Sequence, residues 1–385
     1  MPYEIRFEGP PLGYALSSTS GADQPAQVAV REFTSSEDGQ LFISRLDGWP
    51  TTILSKLPPE VKAEPSTLDH LVAVIRPDLT ATVYVNELSY ATEAVSMRAV
   101  AAGELVYDCD LADIRRLSFP GVEVAPEEAV LIVFSAGWRK ALYFDFEPLR
   151  GEPRPYDLWR RLGSFFAYLK YQNLFSLTEP DWTFLLDGLW FPFLCLPRSV
   201  TRSLVSRTIN REDLDVILPE VRSFLECSLP ILLSRWAETD IFSSHIDFLR
   251  HAAAKYQEGD YISCISILYP RIEGVLRDFH VSVKLPQKLT QASLANTLVD
   301  HGKPDLHPYS WLIPDQFKSY LRRVYFAAFE PGKPAKLSRN SLSHGVANIS
   351  EFNEKVASTG LLIIDQIFWY LPKREAPALP PQPAT

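Results

Sequence analysis

The chain has 385 residues, of which 46% are hydrophobic and 22% charged, a balance typical of globular proteins and not of disordered ones. At this length two or three domains are expected, and the net charge of −9 argues against nucleic-acid binding over the whole surface. No apolar run reaches the roughly 18 residues needed to cross a bilayer. The N-terminus lacks a secretory signal, so we expect a cytoplasmic protein without a membrane partner.

The charge is unevenly distributed along the chain. Residues 1–150 contain 12 Lys+Arg and 22 Asp+Glu, a net of −10, whereas residues 151–385 contain 26 and 25, a net of +1. Between residues 316 and 339 the basic side chains are opposed in sequence only by Glu330. The sign of the local charge matters more for binding than the net charge of the chain, so this stretch predicts RNA contacts. The alternative is that these basic residues form a solvated helix face. The predicted contacts are Lys318, Arg322, Arg323, Lys333 and Lys336.

The cysteines and histidines show no metal-binding pattern. The four cysteines form no C-x-x-C pair, and the seven histidines lack spacings such as H-E-x-x-H. We therefore expect free thiols and no metal site.

The first 150 residues have the patterns of a mainly antiparallel, β-rich acidic domain. Alternating apolar runs flank Pro77-Asp78 and Ala136-Gly137, which predicts two hairpins. The Asp38-Gly39 turn predicts another strand after it, and helical spacing is confined to residues 87–102.

Beyond a proline-rich boundary at Pro148–Pro155 the apolar period changes from 2 to about 3.6. Helices are expected at 156–172, 213–236, 241–256, 261–280, 291–300, 315–329 and 350–371. We expect residues 155–240 to be a helical linker or bundle extension, 241–372 an all-α domain, and 373–385 a disordered proline-rich tail. The predicted fold class is α+β.

One short segment, Arg339–Gly345, carries the strongest chemical signal. It reads Arg-Asn-Ser-Leu-Ser-His-Gly and precedes an amphipathic helix, while upstream a long helix bears Glu273 and Arg277. Together these features resemble the HEPN superfamily of helical-bundle ribonucleases and nucleotide-binding domains, over residues 241–372. The family's hallmark is Arg, usually a polar residue next, and His four to six residues after the Arg, where the closing helix begins.

The resemblance implies a metal-independent endoribonuclease that needs no cofactor. Arg339, Asn340 and His344 would be the catalytic residues, with Glu273 and Arg277 in support. A histidine exchanges protons near neutral pH, and arginine presents two N–H groups to a phosphate. The family's habits imply a homodimer with two motifs facing each other, a toxin or antiviral role, and an N-terminal domain that binds a regulatory partner.

Several alternatives stay open at this point. The HEPN-type domain could bind RNA, a nucleotide or a protein without cutting, or the motif could be an accidental loop in an interaction protein. Glu273 could orient Arg339 or Arg277, or lie exposed and pair with Arg277 at i+4. The last helix carries an apolar stripe that we interpret first as core and second as a dimer seam. The stripe comprises Leu361, Leu362, Ile364, Ile367 and Phe368.

Overall fold

A computed structural model describes residues 2–19, 21–285, 288–303, 306–330 and 336–372. The predicted proline-rich tail (373–385) and Lys333 lie outside these ranges. The chain divides into two compact units. The first contains the residues up to Glu104 together with Asp113–Gln172, and the second contains Leu105–Ala112 and the chain from Asn173 onward. Among the described residues, no helix has both the length and the apolar character needed to cross a membrane.

The strands belong to the N-terminal part of the chain. They are β1 (Tyr3–Arg6), β2 (Tyr14–Ala15), β3 (Val28–Ala29), β4 (Arg31–Ser35), β5 (Leu71–Ile75), β6 (Thr80–Val85), β7 (Ala91–Ser96), β8 (Leu111–Ser118), β9 (Ala129–Ala136) and β10 (Arg139–Asp145). Six of them form one sheet in the order β1-β6-β5-β9-β10-β4, and every pairing in it is antiparallel. The predicted hairpins at Pro77-Asp78 and Ala136-Gly137 are confirmed as β5–β6 and β9–β10.

Helices cover both faces of this sheet. The first unit contains α1 (Gln40–Leu46), α2 (Trp49–Ser55) and α3 (Leu158–Lys170). Phe42 and Leu46 of α1 pack into the apolar cluster on one face. On α3, Leu162, Phe165 and Leu169 are buried, and α3 packs on β9 and β10. Because the sheet needs this helix to cover its second face, the first unit continues to Gln172 and does not end at the predicted boundary, Pro148–Pro155.

Two local predictions in the first unit are wrong. The segment after Asp38-Gly39 is helix α1, because its buried residues Phe42 and Leu46 are four apart and define one helix face. The expected helical stretch at 87–102 contains strand β7 instead, which pairs with β8. In β7 the backbone N–H and C=O groups bond to β8. In an isolated short helix the same groups would have to bond to one another.

The second unit is helical. Its helices are α4 (Gln172–Phe175, whose first residue ends the first unit), α5 (Glu179–Asp187), α6 (Arg198–Asn210), α7 (Leu218–Trp236), α8 (Asp240–Ser243), α9 (Ile246–Gln257), α10 (Tyr261–Ser282), α11 (Gln291–Gly302), α12 (Pro314–Tyr320), α13 (Arg339–Ser343) and α14 (Glu354–Tyr370). A π-helical turn at Leu321–Tyr325 follows α12. Together the two units give a fold of mixed α+β class with an antiparallel sheet in the N-terminal region.

Helix α10 is the centre of the second unit. It packs on α9, α11 and α14. A Cβ atom at Gly360 of α14 would lie 2.6 Å from Leu268 Cδ2, so glycine lets α14 approach α10 closely. The apolar stripe of α14, from Leu361 to Phe368, is buried inside the protomer. The stripe is therefore core, and it is not available as a dimer seam.

Candidate active site

The Arg-Asn-Ser-Leu-Ser-His segment forms its own one-turn helix, α13. Ser338 caps the helix: its Oγ accepts a hydrogen bond from Ser341 N at 3.1 Å and donates to Ala327 O at 2.9 Å. Arg339 is the first helical residue and His344 is the C-cap. The resemblance places the histidine where the closing helix begins, but α14 begins only at Glu354. The turn at Gly345, whose φ is +66°, ends α13 and separates the two helices.

Asn340 ties α13 to its surroundings. Its Nδ2 donates to Phe326 O at 2.9 Å and to Gln291 Oε1 at 3.1 Å, and its Oδ1 accepts from Gln291 Nε2 at 2.5 Å. The amide is thus engaged by the backbone before α13 and by the first residue of α11. These contacts favour a positioning role for Asn340 over direct contact with a phosphate. The partner Gln291 could not be identified from the sequence, because no motif marks it.

Glu273 connects the motif to the core of the unit. It lies on α10 with 3% of its surface exposed. Its Oε2 is ion-paired with Arg339 Nε, and its Oε1 accepts from Arg277 Nε at 2.7 Å. The carboxylate is therefore buried and not exposed, and it pairs with Arg339 as well as with Arg277 at i+4. Helix α10 thus brings Glu273, Arg277 and Arg339 together.

The floor of this cluster is aromatic. Tyr325 is buried, and its hydroxyl donates to Tyr269 O at 2.6 Å. Burial raises the pKa of Tyr325 well above its usual value, and the nearby Glu273 carboxylate raises it further. The tyrosine therefore stays neutral, and the two arginines supply the charge that balances Glu273.

Arg339 and His344 both reach the surface. The Arg339 side chain is 27% exposed, so part of the guanidinium remains accessible although Nε is held by Glu273. His344 is exposed, and its ring lies 5.2 Å from that of Phe329. Its side chain has no hydrogen-bond partner among the described residues, so no contact with them occupies its ring nitrogens. The segment thus places a cation at the first residue of α13 and an exposed histidine at its C-cap.

The four described residues of the predicted RNA-contacting set each have a partner within the protein. Lys318 Nζ is 3.6 Å from Asp300 Oδ1 and 3.3 Å from Asp315 Oδ1. Arg323 lies 3.9 Å from Asp187, and Lys336 Nζ donates to Asp187 O at 2.7 Å. Arg322 bonds to Asn296. The fold therefore reduces the positive potential that the linear sequence indicates.

Among the residues that the structure describes, no three His, Cys, Asp or Glu side chains are grouped closely enough to hold a metal ion. Comparison with protein-family models, with curated proteins and with solved structures finds no match to this chain.

Proposed function

We propose that the chain is a metal-independent endoribonuclease of HEPN type, with residues 241–372 as its HEPN-like bundle and RNA as its partner. The observation that carries the proposal is that both groups lie on the α13 segment: Arg339, held by the buried Glu273, is its first residue, and the exposed His344 is its C-cap. A cation and a proton acceptor, the two groups that RNA cleavage requires, thus lie five residues apart on one short segment.

The chemistry follows from these two groups. His344 takes the proton of a ribose 2′-hydroxyl, whose oxygen then bonds to the adjacent phosphorus. The bond from phosphorus to the 5′-oxygen breaks, and that oxygen takes a proton from water. Arg339 stabilises the charge on the phosphoryl oxygens. The products carry a 2′,3′-cyclic phosphate and a 5′-hydroxyl, and no metal or other cofactor takes part.

The resemblance also supplies the wider context of the proposal. Two motifs would face each other across a homodimer interface of the helical domain, and the protein would act as a toxin or antiviral effector. The acidic N-terminal unit would bind a regulatory protein partner. The five predicted RNA contacts stay part of the proposal, although four of them have acidic or amide neighbours.

The test is incubation of the purified full chain with total RNA in excess chelator, beside the variants Arg339→Ala and His344→Ala. We expect cleavage that the chelator leaves intact, with cyclic phosphate ends detected by mass spectrometry of the products. Cleavage that persists in His344→Ala would contradict the assignment.

One observation favours a second candidate, a HEPN-type module that binds RNA, a nucleotide or a protein without cutting. The amide of Asn340 is fully engaged within the protein, which leaves only two members of the motif for chemistry. RNA retention without any cleavage, measured with the same chain, would support this candidate instead.

A further inference from the structure

A cavity of about 180 Å³ lies in the second unit between α5 and α12 with the π-helical turn that follows it. Trp182 lines it with only 8% of its surface exposed. Ligand pockets for larger molecules measure about 300–1,000 Å³, so this cavity has room for a small ring system beside the Trp182 indole.

The polar lining of the cavity has two kinds of group. Glu179 and Asp315 offer carboxylate acceptors, whereas Arg323 and Ser319 offer donors. Asp315 is paired with Lys318 at 3.3 Å, but Glu179 has no ion-pair or hydrogen-bond partner in the described chain. A ligand with donors on one edge and acceptors on another would satisfy both kinds of group.

A chain of contacts connects the cavity to the motif. Arg323 is 3.9 Å from Asp187, whose carbonyl accepts from Lys336. Lys336 precedes Arg339 by three residues, a span of at most about 11 Å at full extension. These contacts limit the separation of Arg339 and the cavity to the length of a few nucleotides, so one polynucleotide strand could contact both.

We propose that the cavity binds a guanine base, which makes it a specificity subsite of the RNA substrate. Guanine presents N1–H and N2–H₂ donors on one edge and O6 and N7 acceptors on another. The free carboxylate of Glu179 accepts from the first edge, and Arg323 donates to the second. This inference rests on the proposed function, because that function supplies the RNA.

Binding is measured by calorimetry with GMP, IMP, AMP, CMP and UMP, so that no cleavage is required. IMP differs from GMP only by the missing N2 amine, and a hydrogen bond to a charged group is worth a factor of roughly 10–100 in affinity. We expect GMP to bind at least about tenfold more tightly than IMP and the other three. Equal affinity for the nucleotides would overturn the proposal.

Matched variants locate the site. Glu179→Gln should remove the preference for GMP over IMP, whereas Glu220→Gln, also in the first turn of a helix and exposed, should keep it. Arg323→Gln should weaken GMP binding, whereas Arg250→Gln, an exposed arginine of α9 that pairs with Asp247 outside the cavity, should not. A preference for GMP that survives Glu179→Gln would overturn the assignment to this cavity.

The source of the base is tested with an oligouridylate that carries one guanosine or one inosine. Tighter binding of the guanosine strand is expected if RNA supplies the base, and equal binding of the two strands would overturn the substrate role. Selective GMP binding without RNA cleavage would refute the proposed function and leave the guanine site standing. RNA cleavage by a chain that does not distinguish GMP from IMP would refute the guanine site and leave the proposed function standing.

Discussion

The buried carboxylate of Glu273 gives Arg339 a structural role in addition to its chemical one. Removing one partner of a buried ion pair leaves a charge that water cannot solvate, and the cost is commonly several kcal/mol. Arg277 remains beside Glu273 in an Arg339 variant and offsets part of this cost. His344 is exposed and has no such partner among the described residues.

We therefore expect Arg339→Ala to lower the free energy of unfolding by about 1–3 kcal/mol, and His344→Ala to change it by less than about 0.5 kcal/mol. Urea denaturation followed by circular dichroism measures both. An unchanged stability of Arg339→Ala would mean that the ion pair with Glu273 is not formed in solution.

Arg339→Lys separates catalysis from stability. Lysine keeps a positive charge near Glu273, so the stability should stay closer to that of the wild type than in Arg339→Ala. The lysine ammonium lacks the planar fork that binds two phosphoryl oxygens at once, so RNA cleavage should fall roughly 10²–10³-fold. For comparison, His344→Ala should cost roughly 10²–10⁴-fold. Initial rates on one labelled RNA measure all three variants, and a fully active Arg339→Lys would contradict the phosphate role.

His70, in the first unit, predicts a pH dependence of stability. Its Nε2 accepts a hydrogen bond from Leu88 N at 2.7 Å, and burial lowers its pKa below the usual 6.5. Between its folded and unfolded pKa values the unfolded chain binds more protons, so stability is complete above about pH 6.5 and falls as the pH drops below it. His70→Gln should reduce the loss between about pH 7.5 and pH 5.5. Thermal unfolding of the wild type and of His70→Gln at the two pH values measures this loss of stability. An equal loss in the two proteins would exclude His70 as its cause.

At the scale of elements, sequence patterns predict the features that contacts between neighbouring residues determine, such as helix caps and hairpins. Asp260 caps α10, and its side chain accepts a hydrogen bond from Ser263 N at 3.1 Å. The hairpin at Ala136-Gly137 follows from a turn that brings neighbouring runs together. Contacts between distant residues are different: Glu273 precedes Arg339 by 66 positions, and Asp187 is far from Lys336 in sequence. Only the packing of helices reveals these pairs.

Helix α13 is too short to be stable by itself, because a single turn does not repay the cost of helix nucleation. The Asn340–Gln291 amide pair and the Ser338 cap hold it in place. We expect Gln291→Ala to speed hydrogen exchange of the amides at 339–345 and to slow RNA cleavage, although Gln291 touches neither Arg339 nor His344 in the contacts that the structure describes. The control Ser343→Ala changes an exposed residue of α13 and should alter neither. Unchanged exchange in Gln291→Ala would show that the remaining contacts, the Ser338 cap and the Glu273–Arg339 ion pair among them, are sufficient to hold the helix.

At the scale of the whole molecule, the burial of the α14 stripe restricts how two copies can associate. The Leu361–Phe368 side chains lie in the core of one protomer, so any dimer must use other surfaces of the second unit. A composite site would therefore require the two motifs to face each other across another surface. It would not require the two chains to exchange apolar helices. Oligomeric state alone does not test such a site, because a dimer could hold two independent sites.

A mixing experiment tests the composite site directly. Wild-type chains are co-expressed in equal amounts with an Arg339→Ala/His344→Ala double variant, and the activity per total chain is measured on one RNA. Random pairing in a two-fold dimer makes about one quarter of the dimers wild type on both sides. If the motifs act together, the activity should fall to about one quarter of that of the pure wild type, whereas independent protomers would retain about one half. A fall to one half, or a monomer by light scattering with undiminished activity, would show that each chain works alone.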